Sequence, residues 1–397
     1  MSSVRANLTI VVAVLIAGLI LGSSITYFAM PLKERTITTT KTITLKESPL
    51  TITETRTVFA TTTVKSEYPI TIIDALGRIV VISKEPKRIV SLSPAITEDV
   101  FALGLGEYVV GVDSFSNYPP EVVKLRSEGK IANVGGYWQP DLEKIVELNP
   151  DLVLADAGVH AKLHEKFVEL GLTVVYVKGG LASSLEDIMS DLGLIAQIFH
   201  IERKAEEISK KLSSQIKDIE EKLTEANVSK VKVLILLGPP SWGYWSAGSG
   251  TFINCIISVA GGVNIASKYH GWVRLSLEDI LSENPDVIIV SLMASSEEAK
   301  KVIDEIMSSE LANVNAVKEG KIYVLIGKAN DVLMRPGPRI VEAAKIMAQI
   351  LHSEVFGGVS RNDVITPKAV GSLSDHNNIA IVKRFGLQCM ILSTISD

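Results

Sequence analysis

Eight aromatic side chains raise the first chemical question. Trp138, Trp242, Trp245 and Trp272 are all the tryptophans of the chain, and each falls in a stretch that reads as a loop, shared with Phe115, Tyr118, Tyr137 and Tyr244. Tryptophan is usually well buried, so any one ring could simply pack beneath its own loop. Eight together fit better as the lining of a cleft, because ligand sites are concave and dominated by apolar and aromatic surface. In an open α/β sheet, loops that follow strands gather at the carboxyl edge, where ligands sit.

Catalytic constellations fare worse. Gly248-Ser249-Gly250-Thr251 lacks the lysine of a phosphate-binding loop and reads as a turn, and no G-x-S-x-G elbow occurs. His160 and His164 stand four apart and could share a metal, but no acid or third histidine is placed to complete the set, so they read as part of a surface helix. The two cysteines, Cys255 and Cys389, cannot hold a metal cluster and are not expected to pair. No enzymatic reading survives, and no resident cofactor is expected.

Two acids carry a different signal. L-E-K-I-V-E-L-N-P-D-L-V-L-A from Leu142 and L-E-D-I-L-S-E-N-P-D-V-I-I-V from Leu277 are one pattern used twice: a helix with an acid in its first turn, an Asn-Pro stop, then an apolar strand. Glu143 and Glu278 hold matching places. A first-turn acid is favoured by the helix dipole alone. A matched pair also suits docking onto a symmetric partner that presents arginines.

The elements that must position these residues follow from periodicity. Between the repeats, Ser184 to Ala226 reads as two helices broken at His200, the second about 38 Å long with one narrow apolar stripe. It is long enough to bridge two bodies. Strands and helices alternate on both sides of it, so the expected fold class is α/β, two lobes each with a central, mainly parallel sheet flanked by helices, joined by one long helix. A hairpin is expected at Ile70–Ile73 and Ile79–Ile82, strands at 88–92, 109–112, 231–237, 287–290 and 322–325, and helices at 95–103, 251–260, 297–307 and 337–352.

Composition agrees. The chain has 397 residues, 47% of them hydrophobic and 21% charged, with a formal net charge of -5, so it can bury large cores and is a poor candidate for binding nucleic acid. Residues 8–30 form an uncharged apolar run long enough for a membrane span and longer than a cleavable signal core, which predicts an uncleaved single-pass anchor. The Thr-rich stretch that follows reads as an extended stalk holding the bulk of the chain outside the cell. The expected organisation is therefore anchor 1–35, stalk 36–67, first lobe 68–183, bridging helices 184–228, second lobe 229–357 and an irregular tail 358–397. A surface adhesion or stalk protein is the other class this layout permits, but it leaves the clustered aromatics without a purpose.

The residues resemble a known family, the binding proteins of ABC importers for vitamin B12 and iron chelates. The resemblance spans about residues 86–356 and rests on R-I-V-S-L-S-P-A-I-T-E from Arg88 to Glu98, Y-P-P at Tyr118, L-E-K-I-V-E-L-N-P-D, the long helix, and P-G-P-R from Pro336 to Arg339. It implies a monomer that delivers its ligand to a permease and ATPase complex with little hinge motion. It places Glu143 and Glu278 against permease arginines and Phe115, Tyr137 or Trp138, Trp245 and Trp272 against a corrinoid. Arg274, Arg335 and Arg339 keep an iron siderophore or haem open. The anchor and stalk resemble those of archaeal binding proteins, and the tail has no counterpart in the family.

Overall fold

The computed structural model describes residues 68–367. The apolar run 8–30, the stalk and the tail beyond residue 367 lie outside the described residues. Among the described residues, no helix is long and apolar enough to cross a membrane.

The chain enters as an antiparallel hairpin, β1 (Ile70–Ile73) and β2 (Ile79–Ile82), where the alternation placed it. β3 (Ile89–Ser91), β4 (Val109–Val112), β5 (Ala132–Asn133), β6 (Leu152–Asp156) and β7 (Val174–Val177) then form an all-parallel sheet of order β5-β4-β3-β6-β7. Its strands read as unbroken apolar runs because both faces are covered. Leu152, Leu154 and Val175 enter the core on one side, while Val153, Ala155, Val174 and Tyr176 enter the core on the other.

The second half holds β8 (Val231–Leu236), β9 (Tyr244–Ala247), β10 (Gly262–Asn264), β11 (Trp272–Leu275), β12 (Val287–Ser291), β13 (Ile322–Leu325) and β14 (Val364–Ile365). A sheet of order β10-β8-β12-β13-β14 is parallel except for β14, which pairs antiparallel with β13. β9 and β11 form a separate antiparallel ribbon.

Between the sheets lie the helices Leu185–Ile198, capped by the Ser184 hydroxyl, and Glu202–Glu225. His200 at φ 53 breaks them apart, as expected. The second helix has 24 residues, which at 1.5 Å per residue makes it about 36 Å long. Ala205 packs into the core of the first sheet, Leu212, Ile216, Ile219 and Leu223 pack into that of the second, and Ile208 touches both. One apolar stripe thus anchors in two cores. The repeated helices, Leu142–Glu147 and Leu277–Glu283, are capped by Asp141 and Ser276 and are followed by Asn149 and Asn284 in left-handed conformation (φ 43 and 47). Asparagine tolerates that region better than most residues, and the proline after it prevents the helix from resuming.

Three expectations need correction. The helix placed at 337–352 starts later, as Ile340–Leu351 after Pro336-Gly337-Pro338, and an unexpected helix, Gly327–Met334, precedes it. The loops assigned to Trp245 and Trp272 are strands of the β9/β11 ribbon. The tail expected to be irregular supplies β14.

Candidate functional site

A cleft open to solvent is lined by residues of both halves. Seven of the nine nominated ligand residues lie along it: Phe115, Tyr137, Trp138, Trp242, Trp245, Trp272 and Arg335. Tyr118 and Tyr244 do not.

The first wall is set by β4, β6 and the loops that follow β4 and β5. Asp113, at the end of β4, accepts the Phe115 N–H at 2.8 Å and the Ser116 hydroxyl, which fixes the Phe115 turn. Burial pushes the Asp113 carboxyl up to about 6, against the lowering effect of those two donors. Phe115 meets Trp138 edge to face with centroids 5.6 Å apart, and Trp138 meets Tyr137 likewise at 5.1 Å. The Tyr137 hydroxyl donates to Asp156 Oδ2 at 2.9 Å, and burial raises its pKa well above the ordinary phenol value. His160 Nδ1 accepts the Asp156 N–H (3.0 Å), so Nε2 carries the proton and donates to the Tyr137 carbonyl (2.6 Å). This corrects the surface-helix reading: His160 is fully buried, both ring nitrogens are engaged, and burial lowers its pKa. His164 faces Arg78 instead. Among the described residues no group of three or more His, Cys, Asp or Glu is arranged to hold a metal ion.

The second wall is the β9/β11 ribbon and the turn before it. A strand turns successive side chains to opposite faces. Trp245 and Ala247 on β9 therefore share a face with Trp272 and Arg274 on β11, and Trp245 and Trp272 line the cleft. Tyr244 lies on the other face and packs into the core with Leu275 and Val273. That is why it misses the cleft although its neighbour reaches it. Trp272 meets Phe252 edge to face at 5.9 Å, and Trp242 lies over Gly238, where a Cβ would sit 2.5 Å from the ring.

Arg335 lines the cleft, but its guanidinium is already engaged. Nη1 donates to Glu98 Oε1 (3.0 Å) and to Asn117 Oδ1 (2.8 Å), while Nη2 donates to the Phe115 carbonyl (3.2 Å) and pairs with Asp331 (3.0 Å). Arg339 forks the same Glu98 carboxylate, with Nε on Oε2 at 2.7 Å and Nη2 on Oε1 at 2.5 Å, and stacks 3.9 Å from the centre of the Tyr118 ring. This stacking holds Tyr118 outside the cleft. Glu98 is 2% exposed, Arg335 8% and Arg339 7%, so three charges from opposite halves form a latch withdrawn from water. Sequence reasoning missed Glu98, Asp156 and His160 as architects of the site. The signal available was a pair of acids, Glu98 and Asp99, inside an otherwise apolar helix, since a buried charge needs a partner.

Glu143 and Glu278 lie outside the cleft, exposed on the first turns of their helices. Among the described residues neither carboxylate takes part in an ion pair. The cations nearest in sequence are engaged elsewhere, Lys144 with Asp141 and Lys268 with Asp279.

Comparison with known proteins agrees with this architecture. A family model described as periplasmic binding protein matches residues 89–329. An uncharacterized ABC transporter substrate-binding lipoprotein of Bacillus subtilis is 34% identical over 290 residues, 73% of this chain and 87% of that protein. A cobalamin-binding protein of Halobacterium salinarum is 28% identical over 289 residues, covering 72% and 75%. The crystal structure of a possible iron-binding periplasmic solute-binding protein from Staphylococcus epidermidis aligns with a TM-score of 0.56 at 27% identity, covering 67% of this chain and 99% of that one. With that match running from β3 into the helix Gly327–Met334, across both sheets and the helix that bridges them, the chain belongs to the periplasmic binding protein family.

Proposed function

We propose that the chain is the extracytoplasmic substrate-binding protein of an ABC importer, that it holds a corrinoid such as cobalamin in the aromatic cleft, and that it passes the ligand to the permease and its ATPase. One observation carries this reading: seven aromatic rings from both halves line a cleft whose single lining arginine among the described residues is already ion-paired. A bulky ring system with little net charge fits such a surface, and a relative named as cobalamin-binding supports the class. An iron chelate or haem is the second reading, favoured by the likeness to a possible iron-binding protein. It is the weaker one, because two of the three arginines nominated for chelate oxygens, Arg335 and Arg339, are both held by Glu98.

The exposed, unpaired Glu143 and Glu278 are the proposed contacts to permease arginines, where rim charges set register and association rate. The run 8–30 is the proposed single-pass tether. The Bacillus relative is named a lipoprotein, whereas here the first cysteine after the run is Cys255, so a lipid on a cysteine beside it cannot serve. The protein is proposed to act as a monomer, to carry out no chemistry of its own and to need no cofactor. Titration of the intrinsic tryptophan fluorescence with cyanocobalamin, ferric siderophores and haem tests the assignment. Saturable quenching by a corrinoid supports it, and its absence across the whole panel refutes it.

A further inference from the structure

Arg274 stands just outside the residues that line the cleft and differs from the charged side chains among them. Asp156 is held by Tyr137 and by the N–H groups of Gly158 and Gly180. Asp331 is bound to Asn117 and Arg335, and Arg335 to Glu98. Arg274 is exposed, and among the described residues it takes part in no ion pair or side-chain hydrogen bond. Yet the ribbon register puts it directly opposite Trp245, on the face it shares with Trp272. Directly opposed residues on one face of an antiparallel pair have Cβ atoms about 4.5–5.5 Å apart, so the Arg274 and Trp245 side chains leave the ribbon side by side. Gly243 makes room for it: a Cβ there would lie 2.5 Å from Arg274 Nε, and the backbone, at φ 95, favours glycine. The guanidinium is thereby laid over the turn that carries Trp242.

Resting on the cleft reading given above, we infer that Arg274 is the specificity-determining residue of the rim, pairing with an anionic group on the periphery of an otherwise apolar, ring-bearing ligand. The group is a phosphodiester or a carboxylate, both of which match the planar donor fork of arginine. The apolar rings bind the body of the ligand, and the rim cation ranks those bodies by what they carry at the edge.

The test compares wild type, Arg274→Gln and Arg274→Lys against three probes by tryptophan quenching: cyanocobalamin, which carries a phosphodiester, dicyanocobinamide, which lacks the nucleotide arm and its phosphate, and ferric haem, which carries carboxylates. The expected result is that Arg274→Gln weakens an anionic probe about fivefold to tenfold and leaves dicyanocobinamide unchanged, that Arg274→Lys keeps most of the affinity, and that the difference shrinks with added salt. Cyanocobalamin and haem separate the phosphodiester source from the carboxylate source. Equal losses for charged and uncharged probes, or no loss for any probe that wild type binds, overturn this inference alone. A wild-type protein that binds none of the three overturns the cleft reading and this inference with it.

Discussion

Replacing Glu98 by glutamine removes one buried negative charge from the first half and leaves two guanidiniums of the second half against a neutral side chain. The carboxylate accepts three donors at 2.5–3.0 Å, and glutamine offers one acceptor oxygen and a second atom that is itself a donor, set against the Arg339 fork. Breaking a buried ion pair from one side costs about 3–5 kcal/mol. Arg335 retains Asp331 and Asn117, so the lower end, about 3 kcal/mol, is the appropriate figure. A folded unit of about 300 residues, at roughly 2.1 cal/mol/K per residue, has an unfolding entropy near 0.6 kcal/mol/K, so the Tm should fall by about 5 °C. Differential scanning fluorimetry reads the change, and Glu98→Met with Arg339→Met serves as the control, since replacing both partners by apolar groups of similar size should recover most of the loss. Because Arg335 also holds the Phe115 carbonyl, the glutamine variant should bind ligand more weakly as well. A Glu98→Gln protein that melts within a degree of wild type, with unchanged affinity, would show that the latch holds nothing together.

Other outcomes follow from the same geometry. Trp245→Ala and Trp272→Ala should each weaken the ligand at least tenfold in a fluorescence or calorimetric titration, about 1.4–2 kcal/mol, whereas Tyr244→Phe and Tyr118→Phe, whose rings lie outside the cleft, should leave Kd unchanged. Burial raises the Asp191 carboxyl to about 7, so between about pH 4 and 7 the folded state binds a proton that the unfolded state has released, and stability falls as pH rises through that window. Asp191→Asn should remove that contribution, and its unfolding free energy from urea denaturation should gain on wild type from pH 4.5 to pH 8, by about 3 kcal/mol; a gap independent of pH contradicts the assignment. Reversing Glu143 and Glu278 to Arg should leave ligand affinity untouched and abolish uptake in cells carrying the cognate permease, while normal uptake by the double variant would end the docking role.

Much of the frame is legible because it rests on local rules. The Asn-Pro stops after the repeated helices, the break at His200 and the narrow stripe of the bridging helix are each written in adjacent residues, and the structure follows them. The cleft rings were legible only as a group. Their separation into lining and non-lining members depends on the pairing of Tyr244–Ala247 with Trp272–Leu275, a match between segments distant in sequence that no local pattern announces. The latch was hidden for the same reason: Glu98 and Arg339 are 241 residues apart. Arg335 and Arg339 looked available to a ligand because a sequence shows charge and does not show which acid the fold has brought against it.

The most direct measurement is a tryptophan-fluorescence titration of the folded wild-type protein with cyanocobalamin, with dicyanocobinamide, a ferric siderophore and haem run in parallel. A bulky corrinoid lying against Trp138, Trp242, Trp245 and Trp272 should quench the emission saturably at a stoichiometry of one ligand per chain, with a micromolar or tighter Kd. Emission that stays unchanged with every probe would contradict the claim that these rings form a ligand cleft of this class.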